Sequence, residues 1–180
     1  MSMKILILRW GHRPRDFRLT SHVALAARAL GADGIILTDV KDEKIRRTVE
    51  KVVEQWGGPF LYEDGIPWRK LVKDWKIQGG IIVHLTAYGE ILSGELVDKI
   101  KKTGRDMLVI VGSQKVPGVF YSSEVSDFNV AVGNQPHSEC ASLAVFLDRL
   151  FDGEELNRNF EKARLKIKPA AHGKSIIRLR

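Results

Sequence analysis

The feature that most constrains this chain is the regular return of short, strand-like apolar runs, each ending near turn residues and each separated from the next by helix-like spacing. The runs are KILIL from Lys4, GIILT from Gly34, GIIVHLT from Gly80, MLVIVG from Met107 and FNVAVG from Phe128. Between them, Val23, Ala26, Ala27 and Leu30 fall on one helical face, as do Ile45, Val49, Val52, Val53 and Trp56, and later Leu143, Ala144, Leu147, Leu150 and Phe151. Alternation of this kind predicts an α/β fold on a largely parallel sheet. Asp42, Ser93 and Ser138 suit helix N-caps, and Gly31, Gly57, Gly104 and Gly153 suit helix stops. A last run, SIIRL after Lys168-Pro169, reads as an edge strand or a dimer contact.

At 180 residues, 44% of them apolar, the chain suffices for one domain with a true core, residues 1–180, and not for two ordinary ones. No apolar run approaches the roughly 20 residues that span a bilayer, and the opening MSMKILILRWGH lacks a signal peptide's pattern. The expectation is a soluble, cytoplasmic protein. The single cysteine, Cys140, sits in an apolar stretch and reads as a small core residue.

The net charge of +7 is unevenly placed. Residues 156–180 carry Arg158, Lys162, Arg164, Lys166, Lys168, Lys174, Arg178 and Arg180 against Glu161 alone, within a basic C-terminal extension at 154–180. Residues 4–18 add Lys4, Arg9, Arg13, Arg15 and Arg18 against Asp16. Positive charge gathered at the two ends is the usual footprint of a polyphosphate partner. Surface ion-pair networks offer the alternative reading.

In an open parallel sheet, ligands bind beyond the carboxyl ends of the strands. Three segments there combine glycine with small polar residues: HLTAYGE (84–90), GSQKVPG (112–118) and VGNQPHSE (132–139). None is a nucleoside-triphosphate loop, and no GxGxxG follows the first strand. His12, His22, His84, His137 and His172 lack ligand spacing, so no metal is expected.

The order of strand, LTAYG segment, helix, strand, VGSQKVPG loop and VAVGNQPHSECASLAVFLDRLF resembles the carboxyl-terminal half of SPOUT methyltransferases. RWGHRPRDFRLTSHVALAARALGADGIIL, from Arg9, together with NQPHSE, is similar to the archaeal tRNA cytidine-56 2'-O-methyltransferases across essentially the whole chain. The resemblance implies a SPOUT-type sheet with helices on both faces and a C-terminal deep trefoil knot, S-adenosyl-L-methionine as cofactor, tRNA as partner and a homodimer. It implies a cofactor pocket lined by Leu85, Thr86, Gly112, Ser113, Gln114, Lys115, Val116, Val130, Ala131, Val132, Gly133, Asn134, Gln135, Pro136 and His137. Apolar side chains would sandwich the adenine while backbone groups read its edge.

In ribose-methylating members an arginine of the amino-terminal motif usually attends the hydroxyl. Here Arg18, just ahead of a helix beginning near Thr20, is the expected catalytic residue, with Arg13 or Arg15 gripping phosphate. A guanidinium stays protonated, so its role is to orient the hydroxyl or stabilise the developing alkoxide. His22 is the alternative base. Trp10 is a candidate for stacking on an unpaired base, or else a core or interface aromatic. The RNA surface is expected where the two basic ends approach the cofactor loops. Methylation of a base by the same fold, and RNA binding without catalysis, are the competing functions.

Overall fold

The computed structural model describes residues 3–113 and 115–179. Six strands, β1 (Ile5–Arg9), β2 (Gly34–Thr38), β3 (Leu61–Ile66), β4 (Ile81–Ile91), β5 (Met107–Val111) and β6 (Phe128–Ala131), form one sheet in the order β3-β2-β1-β5-β4-β6. All the pairings are parallel. Both faces are covered, which is why these strands read as unbroken apolar runs. Ile5, Ile7, Ile35, Leu37, Met107 and Val109 point to one side, against α1 (Phe17–Ala29), α2 (Glu43–Trp56), α4 (Gly94–Lys101) and α5 (Glu139–Phe151). Leu6, Leu8, Ile36, Leu108 and Ile110 point to the other, against Trp68, Val72 and Trp75 of α3 (Trp68–Ile77) and against Phe120.

The expected caps are in place. Asp42 accepts from the N–H groups of Lys44 and Ile45 at 2.9 and 3.0 Å, Ser93 from Leu96 at 3.1 Å, and Ser138 from Ala141 at 3.1 Å. Gly57 ends α2 at φ 88°, a left-handed conformation that a side chain would resist.

Several boundaries differ from the sequence expectation. Helix α1 begins at Phe17, so Arg18 lies in its first turn rather than ahead of it. Strand β4 continues through LTAYGE to Ile91. Leu85 and Glu90 both pair with Val130, and Thr86–Gly89 loops out between them. Gly89 permits this, because a Cβ there would lie 2.5 Å from the backbone of Asn129 and Val130. Strand β3 and helix α3, unforeseen, complete the sheet edge and its second face.

SIIRL does not join the main sheet. Its β8 (Ile176–Arg178) pairs antiparallel with β7 (Leu165–Ile167) in a separate hairpin. The segment leading there packs on the carboxyl end of α2: Arg164 N–H donates to Gln55 O at 3.0 Å, Glu161 bridges Gly58, and the Arg28 guanidinium lies 4.2 Å from the Phe160 ring centre. Because α2 runs back from the carboxyl end of β2 toward the start of β3, the hairpin lies at the sheet's amino-terminal edge. The two basic ends therefore do not meet at the loops expected to hold cofactor within one chain, contrary to expectation.

Candidate active site

At the opposite, carboxyl-terminal edge, the looped-out stretch of β4 and the segments after β5 and β6 enclose a cleft of about 590 Å³. Of the residues expected to hold cofactor, Leu85, Thr86, Gly112, Ser113, Lys115, Val116, Val132, Gln135, Pro136 and His137 line it. Val130 and Ala131 do not: they are buried inside β6, where they support the floor. Gly133 and Asn134 are exposed and outside the lining, and Gln114 lies outside the described residues. His84, Ala87, Tyr88 and Glu139, which lie in the candidate segments but were not among the expected cofactor residues, line the cleft as well, as do Val111, Tyr121 and Ser142, which were not foreseen.

The cleft has an apolar wall of Leu85, Val116 and Val132, and a polar side that converges through hydrogen bonds. A Cβ on Gly112 would overlap Val116 Cγ1, so glycine lets the loop fold over itself. His137 Nε2 lies 2.5 Å from Val132 O, closing the loop between β6 and α5. His84 Nδ1 lies 2.9 Å from Asn129 Oδ1, Asn129 Nδ2 donates to Tyr121 O at 3.0 Å, and Thr86 Oγ1 donates to Tyr121 OH at 3.3 Å. Burial pulls the His84 pKa below its ordinary value, with the Asn129 contact opposing.

Beneath the cleft, Arg9 ends β1 with its side chain fully buried. Its Nη1 donates to Gly112 O at 2.7 Å and lies 3.9 Å from Glu139 Oε1, while Nε reaches Thr20 Oγ1 at 3.4 Å. Burial lowers the Arg9 pKa, and Glu139 and Asp16 pull it back up. From Thr20 the contacts continue: His12 Nδ1 lies 2.9 Å from Thr20 Oγ1, and His12 Nε2 lies 2.8 Å from Asp42 Oδ2. The polar residues of the amino-terminal motif thus tie the loop after β5 to the starts of α1 and α2.

Arg18 is exposed in the first turn of α1 and does not line the cleft. The loop that leads to α1 adjoins the cleft, for a Cβ on Gly11 would come within 2.9 Å of Ser113 Cβ. Arg13 is engaged by Asp16 at 2.8 Å, whereas Arg15 is exposed. His22 is exposed on α1. Arg28 is structural, donating to Trp56 O and Gly57 O at 2.9 and 2.6 Å. Trp10 is half-buried, edge-on to Phe120 at 5.7 Å, which fits its core reading. Cys140 packs partly buried against the core, and burial raises its thiol pKa. No helix among the described residues is long and apolar enough to cross a membrane, and no three His, Cys, Asp or Glu among them gather as a metal site.

A family model described as tRNA ribose 2'-O-methyltransferase, aTrm56, matches residues 56–177. The chain is 54% identical over 176 residues to the tRNA (cytidine(56)-2'-O)-methyltransferase of Thermofilum pendens, covering 97% of this chain and 96% of that one. It is 52% identical to the protein of the same name from Thermococcus kodakarensis, covering 99% of each. Among solved structures, an RNA 2'-O ribose methyltransferase superposes with a TM-score of 0.61 at 16% identity, over 84% of this chain and 57% of that one. The SpoU methyltransferase AviRb from Streptomyces viridochromogenes, in complex with the cofactor AdoMet, gives 0.56 at 16% identity, over 84% of this chain and 60% of that one. At such identity the solved structures speak to the fold, and the chain spans less than two thirds of each. The near-complete sequence matches speak to descent, and by them the chain belongs to the tRNA ribose 2'-O-methyltransferase family, aTrm56.

Proposed function

We propose that this protein transfers the methyl group of S-adenosyl-L-methionine to the ribose 2'-oxygen of cytidine 56 in tRNA. The observation that carries the reading is the cleft at the carboxyl edge, formed by the same three segments that the family resemblance assigns to cofactor. Its volume of about 590 Å³ falls in the usual range for a small-molecule site. Apolar Leu85, Val116 and Val132 suit an adenine ring, and the backbone groups of the lining residues Gly112, Ser113 and Lys115 suit its polar edge. The cofactor-holding set is Leu85, Thr86, Gly112 to Val116 and Val130 to His137, with Val130 and Ala131 acting from beneath.

When bound, the cofactor supplies a methyl group on a positively charged sulfur: a carbon–oxygen bond forms to the ribose as the carbon–sulfur bond breaks, and the hydroxyl proton is released. The protein's work is alignment of the two reactants and polarisation of the hydroxyl. Arg18 is the residue for the latter. Its place on the first turn of α1, beyond a loop that touches Ser113, supports a position at the cleft's rim. Exposed Arg15 takes RNA phosphate.

Further parts of the reading are a single domain with its basic extension at 154–180, a homodimer, tRNA as partner and a cytoplasmic place of action. Exposed Tyr88, Ile91 and Val145 favour a dimer interface. A trefoil knot in the carboxyl half is favoured by the order β5-β4-β6, in which the chain passes from one side of β4 to the other over the cleft.

The test is transfer of labelled methyl from S-adenosyl-L-methionine to an unmodified tRNA transcript, followed by nuclease digestion and mass spectrometry. Label on the 2'-oxygen of cytidine 56 is expected, and label on a base, or none, overturns the reading. Arg18→Ala is expected to slow transfer by about 10²–10⁴-fold while cofactor affinity measured by calorimetry holds. Near-normal turnover would remove Arg18 from the mechanism.

A further inference from the structure

Glu139 belongs to the cleft but has no part in the roles described so far. Ser138 caps α5, which places Glu139 in its first turn, beside His137 and Ser142 on the cleft wall. Among the described residues lining the cleft it is the only acid. Behind it stands Arg9, whose side chain is 0% exposed against 27% for that of Glu139, with Nη1 and Oε1 3.9 Å apart. The pair is a dipole whose positive end is sealed in the sheet and whose negative end lies at the cleft wall. Arg9 cannot swing to follow its partner, because Gly112 O at 2.7 Å, Val111 O at 3.4 Å and Thr20 Oγ1 at 3.4 Å hold it from other directions.

A carboxylate partly withdrawn from water attracts a positive charge entering from its open side more strongly than one in bulk solvent would. The two ligands of a methyl-transfer cleft differ in that respect. The methyl donor carries a sulfonium in addition to its amino-acid ammonium and carboxylate, whereas the product is a thioether with the same amino-acid end and no net charge. We propose that Glu139, positioned by Arg9, distinguishes donor from product by charge, drawing in the sulfonium form and releasing the thioether. This rests on the reading of the cleft as the S-adenosyl-L-methionine site. Attraction between unit charges a few ångströms apart in a partly screened cleft easily supports a tenfold preference, which corresponds to about 1.4 kcal/mol.

The test is calorimetric titration of the full chain with S-adenosyl-L-methionine, with S-adenosyl-L-homocysteine and with an analogue bearing a protonated amine in place of the methyl sulfonium. Glu139→Gln is expected to weaken donor binding about tenfold and to leave the thioether within about twofold, while Glu139→Asp restores most of the preference. Equal weakening of both ligands, or of neither, overturns the inference while leaving the cleft's assignment intact. In the wild type, where folding of a variant is not at issue, the amine analogue is expected to bind more tightly than the thioether, and equal affinities overturn the inference too. A wild-type chain that binds none of the three overturns the reading of the cleft and this inference with it.

Discussion

His84 is nearly inaccessible at the end of β4's buried stretch, packed edge-on to Tyr121 at 5.0 Å and bonded to Asn129. Its pKa in the fold is depressed by burial, whereas in the unfolded chain the imidazole protonates near its ordinary value of 6.5. The unfolded state therefore binds more protons in mild acid, and the stability present above that value is lost as pH falls toward the folded pKa. Urea unfolding at about pH 7.5 and about pH 5.5 is expected to show this loss in the wild type and a smaller one in His84→Gln. Equal losses in the two chains would show that His84 contributes nothing to it. His84 opened the candidate segment HLTAYGE but was left out of the expected pocket, because a histidine at the end of an apolar run reads as core. Arg9 was counted with the basic surface for a related reason: a cation at a strand's end reads as exposed until its acceptors at Val111 and Gly112, more than a hundred residues away, are known. By contrast Gly112, Pro136 and their neighbours stood out, since glycine, proline and small polar residues after a strand reveal themselves locally.

The elements with strong local signals formed where expected, their ends fixed by side chains that act within one turn. Asp42 is the fullest case. One carboxylate oxygen caps α2 and the other receives His12 at 2.8 Å, so a single residue joins the start of α2 to the amino-terminal motif. Asp42→Ala is expected to cost about 1–2 kcal/mol in chemical denaturation, and Asp42→Asn, which keeps the cap, clearly less. A cost below about 0.5 kcal/mol for the alanine variant would show that water replaces the cap. Strand β3 was hidden because LYEDGI is an edge strand with one partner, and it needs no continuous apolar run. Helix α3 did carry a local signal, for Trp68, Val72 and Trp75 recur at helical spacing on the face that packs on the sheet while Arg69, Lys70, Lys73 and Asp74 take the other, but its 10 residues make that pattern short and easy to pass over. The β7–β8 hairpin depends on packing against α2, which no local pattern encodes.

The molecule as a whole has its cleft at one edge of the sheet and its basic hairpin at the other. On the hairpin Lys166, Lys168, Lys174 and Arg178 are all exposed. If that surface meets tRNA phosphates, changing Lys166, Lys168 and Lys174 together to Gln weakens tRNA binding. The slope of log affinity against log salt then flattens by about one for each phosphate no longer neutralised, while turnover at saturating tRNA is unchanged. Filter binding across a salt series checks this, and an unchanged slope would mean that the hairpin touches no RNA. The clustering of charge was legible from sequence, but its position was not, because only the fold decides which edge a tail returns to.

Opposite placement also bears on how such a protein can change over time. Among the described residues no hydrogen bond or ion pair joins the hairpin to the cleft walls, and distant sites with no shared partner contribute to free energy nearly additively. The charge of the hairpin can therefore drift with the salt and heat of the cell's surroundings, while the geometry of the cleft is inherited untouched.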